Sequence, residues 1–361
     1  MSQTPPGLDQ RQALNAFKDR EMFRIDMRQI QGYITGFGQF SAELSDLAEV
    51  VVEEAYRVAV RDLRVHYGLP RLNNRHPCAM TICALGKCGG RELGFASDIE
   101  LMLIYAGNGR TTGPRVITTA EFFDRLVSEI NNVIDARREG IFELDLRLRP
   151  YGKAGSLGVS LDAFRRYFAP GGDAWPYERQ ALVKLRPIAG DVKLGQQIIK
   201  LRDEFIYNDD PFDIAAMRAM RERQIRHHVT AGTVNAKLSP GGLVDIEYLV
   251  QGLQISYGHR YPNLRVTNTS EALTALAAVG VLTQQDYVHL SEALSFLQNL
   301  INALRMVRGN TKDLTVPPID SEEFVYLARR MRYEAGHQVQ LNYDLTNHTT
   351  RVQEINARIL N

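Results

Sequence analysis

Leu85-Gly86-Lys87-Cys88-Gly89-Gly90-Arg91-Glu92-Leu93-Gly94-Phe95-Ala96-Ser97-Asp98-Ile99-Glu100-Leu101-Met102-Leu103-Ile104-Tyr105 decides how this chain is read. It opens on a glycine cluster and closes on an apolar run that carries two acids spaced i, i+2. Side chains alternate across a β-strand, so Asp98 and Glu100 project from one face and Ile99, Leu101 and Leu103 from the other. Two carboxylates side by side repel unless a positive charge lies between them. A divalent cation answers that need, and oxygen-only ligands suit Mg²⁺, with Mn²⁺ as the alternative. The glycines ahead of them allow backbone amides to approach a phosphate. The plainer reading is a glycine turn leading into an edge strand with solvated acids.

The Gly-Gly, seven residues, Asp-apolar-Glu pattern resembles the signature of DNA polymerase beta type nucleotidyltransferases. Its context lies some forty residues on, in Ile141-Phe142-Glu143-Leu144-Asp145-Leu146-Arg147-Leu148-Arg149-Pro150. That segment alternates throughout, with Phe142, Leu144, Leu146 and Leu148 on one face and Glu143, Asp145, Arg147 and Arg149 on the other. Asp145 supplies a third acid, to complete a metal cage or take a proton from an attacking hydroxyl. Arg147 and Arg149 supply forked donors for triphosphate charge. The alternative is an amphipathic strand whose charges pair in water.

Working outward, the leader 1–8 is polar with Pro5-Pro6, and a frayed start is expected there. From about Asp9 to Tyr67 the period is helical, with Leu44, Leu47, Ala48, Val51, Ala55 and Val58 in one apolar stripe. Gly68-Leu69-Pro70 ends it. Cys78 to Leu85 reads as a buried strand and Asp98–Tyr105 as a second. Thr118-Thr119-Ala120-Glu121 has capping-box form ahead of Phe122, Phe123, Leu126, Val127, Ile130, Val133 and Ile134. Gly152 to Gly158 reads as a hinge or another phosphate-approaching loop. Beyond about Ser160 strand signals nearly vanish and helical periods run to the end. Within them, Ser239 as N-cap with Pro240 at N1 predicts a helix start beside Lys237, able to offer amides and a cation to an anion. The alternative there is an ordinary capped core helix. The predicted organisation is α+β: a helical segment over 1–70, a mixed-sheet nucleotidyltransferase core over 71–158 and an α-helical domain over 159–361.

Composition bounds the function classes. The 361 residues are 44% hydrophobic and 24% charged, and 43 Lys and Arg balance 42 Asp and Glu. A net charge of +1 makes no electrostatic case for nucleic acid, and no basic aromatic stripe accompanies it. No apolar run reaches the roughly 20 residues that span a bilayer, and the start lacks a signal-peptide pattern, so no membrane association and a cytoplasmic location are expected. Cys78, Cys83 and Cys88 contain no CxxC pair, so reduced thiols are expected rather than zinc ligands.

Several motifs together resemble the glutamine synthetase adenylyltransferase/deadenylase family: Gly86 to Leu93 with Ser97-Asp98-Ile99-Glu100, then Asp145 to Gly152, Trp175 to Lys184, and Lys237 with Gly241 to Glu247. Glu100 stands where the family commonly has a second Asp. Members usually carry two copies of the unit, one attaching AMP to a glutamine synthetase tyrosine and one removing it by phosphorolysis; one copy is present here. Trp175–Lys184 and Gly241–Glu247 look like the attaching half, whereas Phe296-Leu297-Gln298, Val316-Pro317 and Leu345, His348 and Val352 look like the removing half. The resemblance implies AMP transfer from ATP with two Mg²⁺ ions. Asp98 and Glu100 would bridge both ions, Asp145 would ligate one and help deprotonate the hydroxyl, and Gly89, Gly90 and Ser97 would cradle phosphate. Glutamine synthetase is the implied partner, with a PII-type signalling protein as a further one. The reverse phosphorolysis and a non-catalytic nucleotide- or glutamine synthetase-binding module are the rival readings; three converging acids speak against the module.

Overall fold

The apolar stripe from Leu44 to Val58 is buried in full. In the computed structural model, which describes residues 8–36, 38–136, 141–309 and 313–360, it belongs to the second of two leading helices, α1 (Leu8–Gln31) and α2 (Gln39–Tyr67). The single helical stretch read from the sequence is therefore broken, at Gly32 and Gly38, both with left-handed backbone that ends or refuses a helix. Of the start expected to fray, residues 1–7 lie outside the described residues and Leu8 already opens α1.

Two compact units follow from the chain's internal contacts: residues up to Leu93 together with Ser97–Phe205, and Gly94–Ala96 together with Ile206 onward. The division falls at Phe205, whereas the sequence reading draws lines at 70 and 158.

In the first unit α1 and α2 precede β1 (Pro70–Leu72), β2 (Met80–Ala84), the one-turn α3 (Gly86–Gly89), β3 (Ile99–Tyr105) and β4 (Gly109–Thr111). Then come α4 (Thr119–Val133), β5 (Leu144–Asp145), β6 (Gly158–Ser160), α5 (Leu161–Phe168), α6 (Pro176–Ala181), β7 (Arg186–Gly190) and α7 (Val192–Ile206). The central sheet runs β5-β3-β2-β7, and β6 pairs with β3 beyond β5. β3 is antiparallel to β2 and parallel to both β5 and β6. Its apolar side chains are buried on both faces, so only Glu100 keeps partial contact with water. The Thr118 hydroxyl caps α4 by accepting from the Glu121 N–H, and Phe122, Phe123, Leu126, Val127, Ile130 and Val133 are buried as their spacing predicts. β1 and β4 form a separate two-stranded ribbon at the Tyr105 end of β3.

Three strand expectations need correction. β7 lies where helical periods were expected to run to the end; its Pro187 is tolerated because β7 is an edge strand, paired with β2. The stretch read as a loop holds a short turn over Gly152–Ala154, and only its last residue, Gly158, opens the short strand β6. The ten-residue alternating strand around Asp145 shrinks to Leu144–Asp145. Phe142 is left-handed before it, and after it the Asp145 carboxylate captures the Arg147 N–H at 2.9 Å, a local bond that competes with ladder pairing.

The second unit holds α8 (Ile214–His228), α9 (Leu243–Gly258), α10 (Thr269–Ala278), α11 (Gln284–Arg308), α12 (Glu322–Arg330) and α13 (Gln338–Ile359). Leu249, Leu290, Leu294, Leu297, Leu304, Phe324 and Leu341 are among its core. Phe95 is clasped within it, its N–H donating to Asn302 Oδ1 at 3.0 Å and its carbonyl accepting from Arg305 at 2.9 Å. The start of α9 differs from the reading of Ser239 as N-cap: Gly242 occupies that place and Leu243 begins the helix. Ser239 Oγ instead accepts from the Asn235 N–H inside the preceding turn, and left-handed Gly241 redirects the chain. Asp245 binds the Gly241 N–H and the Arg221 guanidinium, so it serves this turn.

Candidate active site

β2 ends at Ala84, and the chain must reverse into β3 over the edge of the sheet. Gly86 makes the first bend with φ 49°, and a Cβ there would lie 1.3 Å from Glu100 Oε2. The first glycine of the motif is therefore required by close approach to the second acid. The next two act differently, and of them Gly89 is required by close approach. The Gly89 and Gly90 N–H groups donate to the Leu85 and Gly86 carbonyls, at 2.8 and 3.1 Å, and a Cβ on Gly89 would meet the Lys184 carbonyl oxygen at 1.9 Å. Their amides close a helical turn rather than pointing outward.

Asp98 is exposed one residue ahead of β3, and Glu100 lies two residues on, inside the strand. Parallel pairing sets Glu100 directly beside Asp145, with Ile99 beside Leu144. The Ile99 N–H to the Glu143 carbonyl (2.8 Å) and the Phe142 N–H to the Ser97 carbonyl (3.0 Å) fix that register. Strand alternation then places Glu100 and Asp145 on one face, with Asp98 on the same side at the strand's entrance. Four of the six non-glycine residues with left-handed backbone among the described residues, Arg91, Ala96, Phe142 and Tyr151, flank these acids in sequence. Each costs of order 1–3 kcal/mol and persists only where the surroundings over-determine it.

Arg147 supplies the nearest cation. Its Nε lies 2.9 Å from both oxygens of Asp145. Burial acts to raise the pKa of Asp145, but the bonds from the Arg147 side chain and N–H outweigh it and hold the carboxyl below its ordinary value. Asp145, and at longer range Asp98 and Glu100, hold the Arg147 charge in turn. Arg149, read as a partner of Arg147, is buried instead and donates to the Leu146 and Gly155 carbonyls, tying the loop after β5. Lys237 belongs to the turn before α9, where its N–H donates to Asn235 Oδ1 at 3.1 Å. Among the described residues no three His, Cys, Asp or Glu side chains come together as a metal-holding group, since Asp145 is turned toward Arg147. Asp98, Glu100 and Asp145 are all-oxygen donors of the kind that suits a hard divalent cation, with Glu100 turned into the space left by the missing Gly86 side chain and Asp145 toward Arg147. The cysteines are buried and unpaired, and burial pushes the Cys83 and Cys88 thiols up to about 12, so neither is a thiolate at neutral pH.

Sequence reading missed the support beneath the glycine turn. Lys184 and Glu92, both buried, form an ion pair. Arg186 donates to the Gly89 and Cys88 carbonyls, at 2.9 and 3.1 Å, and bridges to Glu49 of α2 at 2.8 Å. Arg91 reaches Asp46 of the same helix at 2.7 Å. The signal was Lys184 inside Ala181-Leu182-Val183-Lys184-Leu185: a cation in an apolar run needs a buried acid.

A family model described as glutamate-ammonia ligase adenylyltransferase matches residues 2–200, and one described as GlnD PII-uridylyltransferase matches residues 215–360. Among curated proteins, the bifunctional glutamine synthetase adenylyltransferase/adenylyl-removing enzyme of Aromatoleum aromaticum is 35% identical over 85% of this chain and 32% of its own length. The proteins of the same name from Thioalkalivibrio sulfidiphilus and Bordetella pertussis are 30% and 33% identical over 94% and 89% of this chain, and 35% and 36% of their own. The chain thus spans about a third of the length of these relatives. No helix among the described residues is long and apolar enough to cross a membrane. With a nucleotidyltransferase-type α+β core in its first unit and a family model covering more than half its length, the chain belongs to the glutamate-ammonia ligase adenylyltransferase family.

Proposed function

We propose that this chain moves AMP between ATP and a tyrosine hydroxyl of glutamine synthetase. The observation that carries the reading is the pairing of Glu100 with Asp145 on adjacent parallel strands, with Asp98 two residues before Glu100. Asp98, Glu100 and Asp145 would hold Mg²⁺, or Mn²⁺ in its place, which when bound neutralises charge on the transferring phosphoryl group. Asp145, kept ionised by Arg147, accepts the proton of the tyrosine hydroxyl as its oxygen bonds to the α-phosphorus and the bond to pyrophosphate breaks. Arg147, exposed and paired with Asp145 alone among the described residues, can turn its fork from the carboxylate to phosphate oxygens. Ser97 and the turn through Gly89 and Gly90 set the position of Asp98 and the floor beneath the phosphates. Lys237 belongs to the second unit, in the turn before α9, and carries no part of this reading. The same acids serve phosphorolysis, in which a phosphate oxygen bonds to the phosphorus of the attached AMP, the bond to the tyrosine oxygen breaks, that oxygen regains a proton and ADP is released. The relatives' names support both directions. The likeness of residues 215–360 to a PII-uridylyltransferase supports a helical unit that answers to a PII-type signalling protein.

Mass spectrometry of glutamine synthetase incubated with the protein, ATP and Mg²⁺ tests the reading, with a parallel incubation from adenylylated enzyme and phosphate. Asp98→Asn keeps shape and removes one charge. Both reactions should fall by about two orders of magnitude or more, as for loss of a ~2.7–4 kcal/mol transition-state interaction. Transfer that survives the substitution, or that is lost together with a large drop in melting temperature, refutes it.

A further inference from the structure

The β1–β4 ribbon carries an arrangement that folding alone does not favour. Its antiparallel register sets Arg71 directly opposite Arg110. Like charges facing each other across a ladder destabilise it. Arg75 joins them from the adjoining turn in left-handed backbone, its carbonyl accepting from the Arg71 guanidinium at 2.8 Å. The three line an open groove of about 400 Å³ with Leu72, Asn73 and Thr112, and no carboxylate is among its walls. None of the three forms an ion pair among the described residues. Elsewhere in this unit Arg11, Arg28, Arg91 and Arg186 each reach a carboxylate, in a chain whose opposite charges nearly balance. Gly109, whose Cβ would lie 1.8 Å from the Arg71 carbonyl oxygen, keeps the two strands close enough for the opposition to persist.

We propose that this groove is a binding site for a small, multiply charged phosphate compound. Three guanidinium forks around one concavity match phosphoryl oxygens in geometry and charge, and a bound anion removes the repulsion between Arg71 and Arg110. The site is separate from the acids. Asp98 precedes the first residue of β3 and the ribbon lies beyond its last, and seven residues at about 3.3 Å each put roughly 20 Å between them. It therefore does not hold the reacting phosphates, and it stands whatever direction the reaction takes.

The test is calorimetric titration of the full chain with inorganic pyrophosphate, at low salt and with chelator present so that no divalent metal recruits the anion to the acids. Wild type should bind. Arg71→Gln and Arg110→Gln should each weaken binding about tenfold or more, as expected for loss of a hydrogen bond to a charged partner. Without anion their melting temperatures should be unchanged or slightly higher, and Asp98→Asn should bind as wild type does. Arg75→Gln, outside the ladder, gives the same answer if a strand variant fails to fold. No binding to wild type at millimolar pyrophosphate, or equal binding by wild type and all three arginine variants, would overturn the proposal.

Discussion

Lys184→Met removes one partner of an ion pair whose two side chains are each 6% exposed. The Glu92 carboxylate under the glycine turn then loses its Lys184 partner, and breaking a buried pair from one side costs about 3–5 kcal/mol. For a unit of this size each kcal/mol corresponds to about 2–4 °C, so the first unit's melting transition should fall by roughly 6–20 °C. Replacing both partners, Glu92→Leu with Lys184→Met, removes both buried charges and should recover most of that loss, because apolar replacement of a buried pair is often neutral. The single and double variants, with Glu92→Leu alone, form a cycle whose interaction energy isolates the pair. Calorimetry reads the stability and AMP transfer to glutamine synthetase reads the site. Because Gly89 rests on the Lys184 backbone, the pair anchors the strand-to-strand turn that ends in Asp98. A double variant that melts normally but transfers AMP slowly would show the pair positioning that turn. A single variant melting within about 2 °C of wild type, or a double variant no more stable than the single, would refute the reasoning.

Other outcomes follow from the same geometry. Arg147→Gln should tighten Mn²⁺ binding without nucleotide, by calorimetry, because the cation no longer competes for Asp145, and should let the Asp145 pKa rise; weaker metal binding would mean that Arg147 orients the acid instead. Gly89→Ala forces a methyl against the Lys184 and Ala84 carbonyls and should cost about 1–3 kcal/mol in chemical unfolding; an unchanged midpoint would show the turn to be pliable. Burial pushes Asp26 up to about 7 and leaves its Oδ1 without a hydrogen-bond partner among the described residues. The folded state then binds more protons than the unfolded one between about pH 4 and 7, so stability falls as pH rises through that window. Asp26→Asn should flatten that dependence and raise the melting temperature near pH 8, and a variant that still loses stability over the window would place the titration elsewhere.

How much of this was legible in the sequence depends on whether the deciding contact is local. Asp98 and Glu100 could be placed because alternation in a strand is a property of the backbone, and the i, i+2 spacing carries it. The stripes of α2 and α4 were legible for the same reason, as was the Thr118 cap, whose partner lies three residues away. β7 was not: Pro187 argues against a strand, all five of its residues are half-buried without alternation, and its pairing comes from β2, far back in the chain. Around Asp145 alternation of residue types was mistaken for alternation of geometry. Left-handed Phe142 and the bond from the Arg147 N–H confine the strand to two residues, and so Arg149 turns inward although its pattern matches that of Arg147. The glycines make the limit plainest. Gly86, Gly89 and Gly90 look alike in sequence, and each permits both a free amide and a missing side chain. Only the fold separates these uses: Gly86 yields space to Glu100 fourteen residues on, and Gly89 to a carbonyl of Lys184 on a segment that no local pattern brings near. The glycine motif thus reads as a phosphate cradle by composition and acts, by contact, as the hinge that seats the acids.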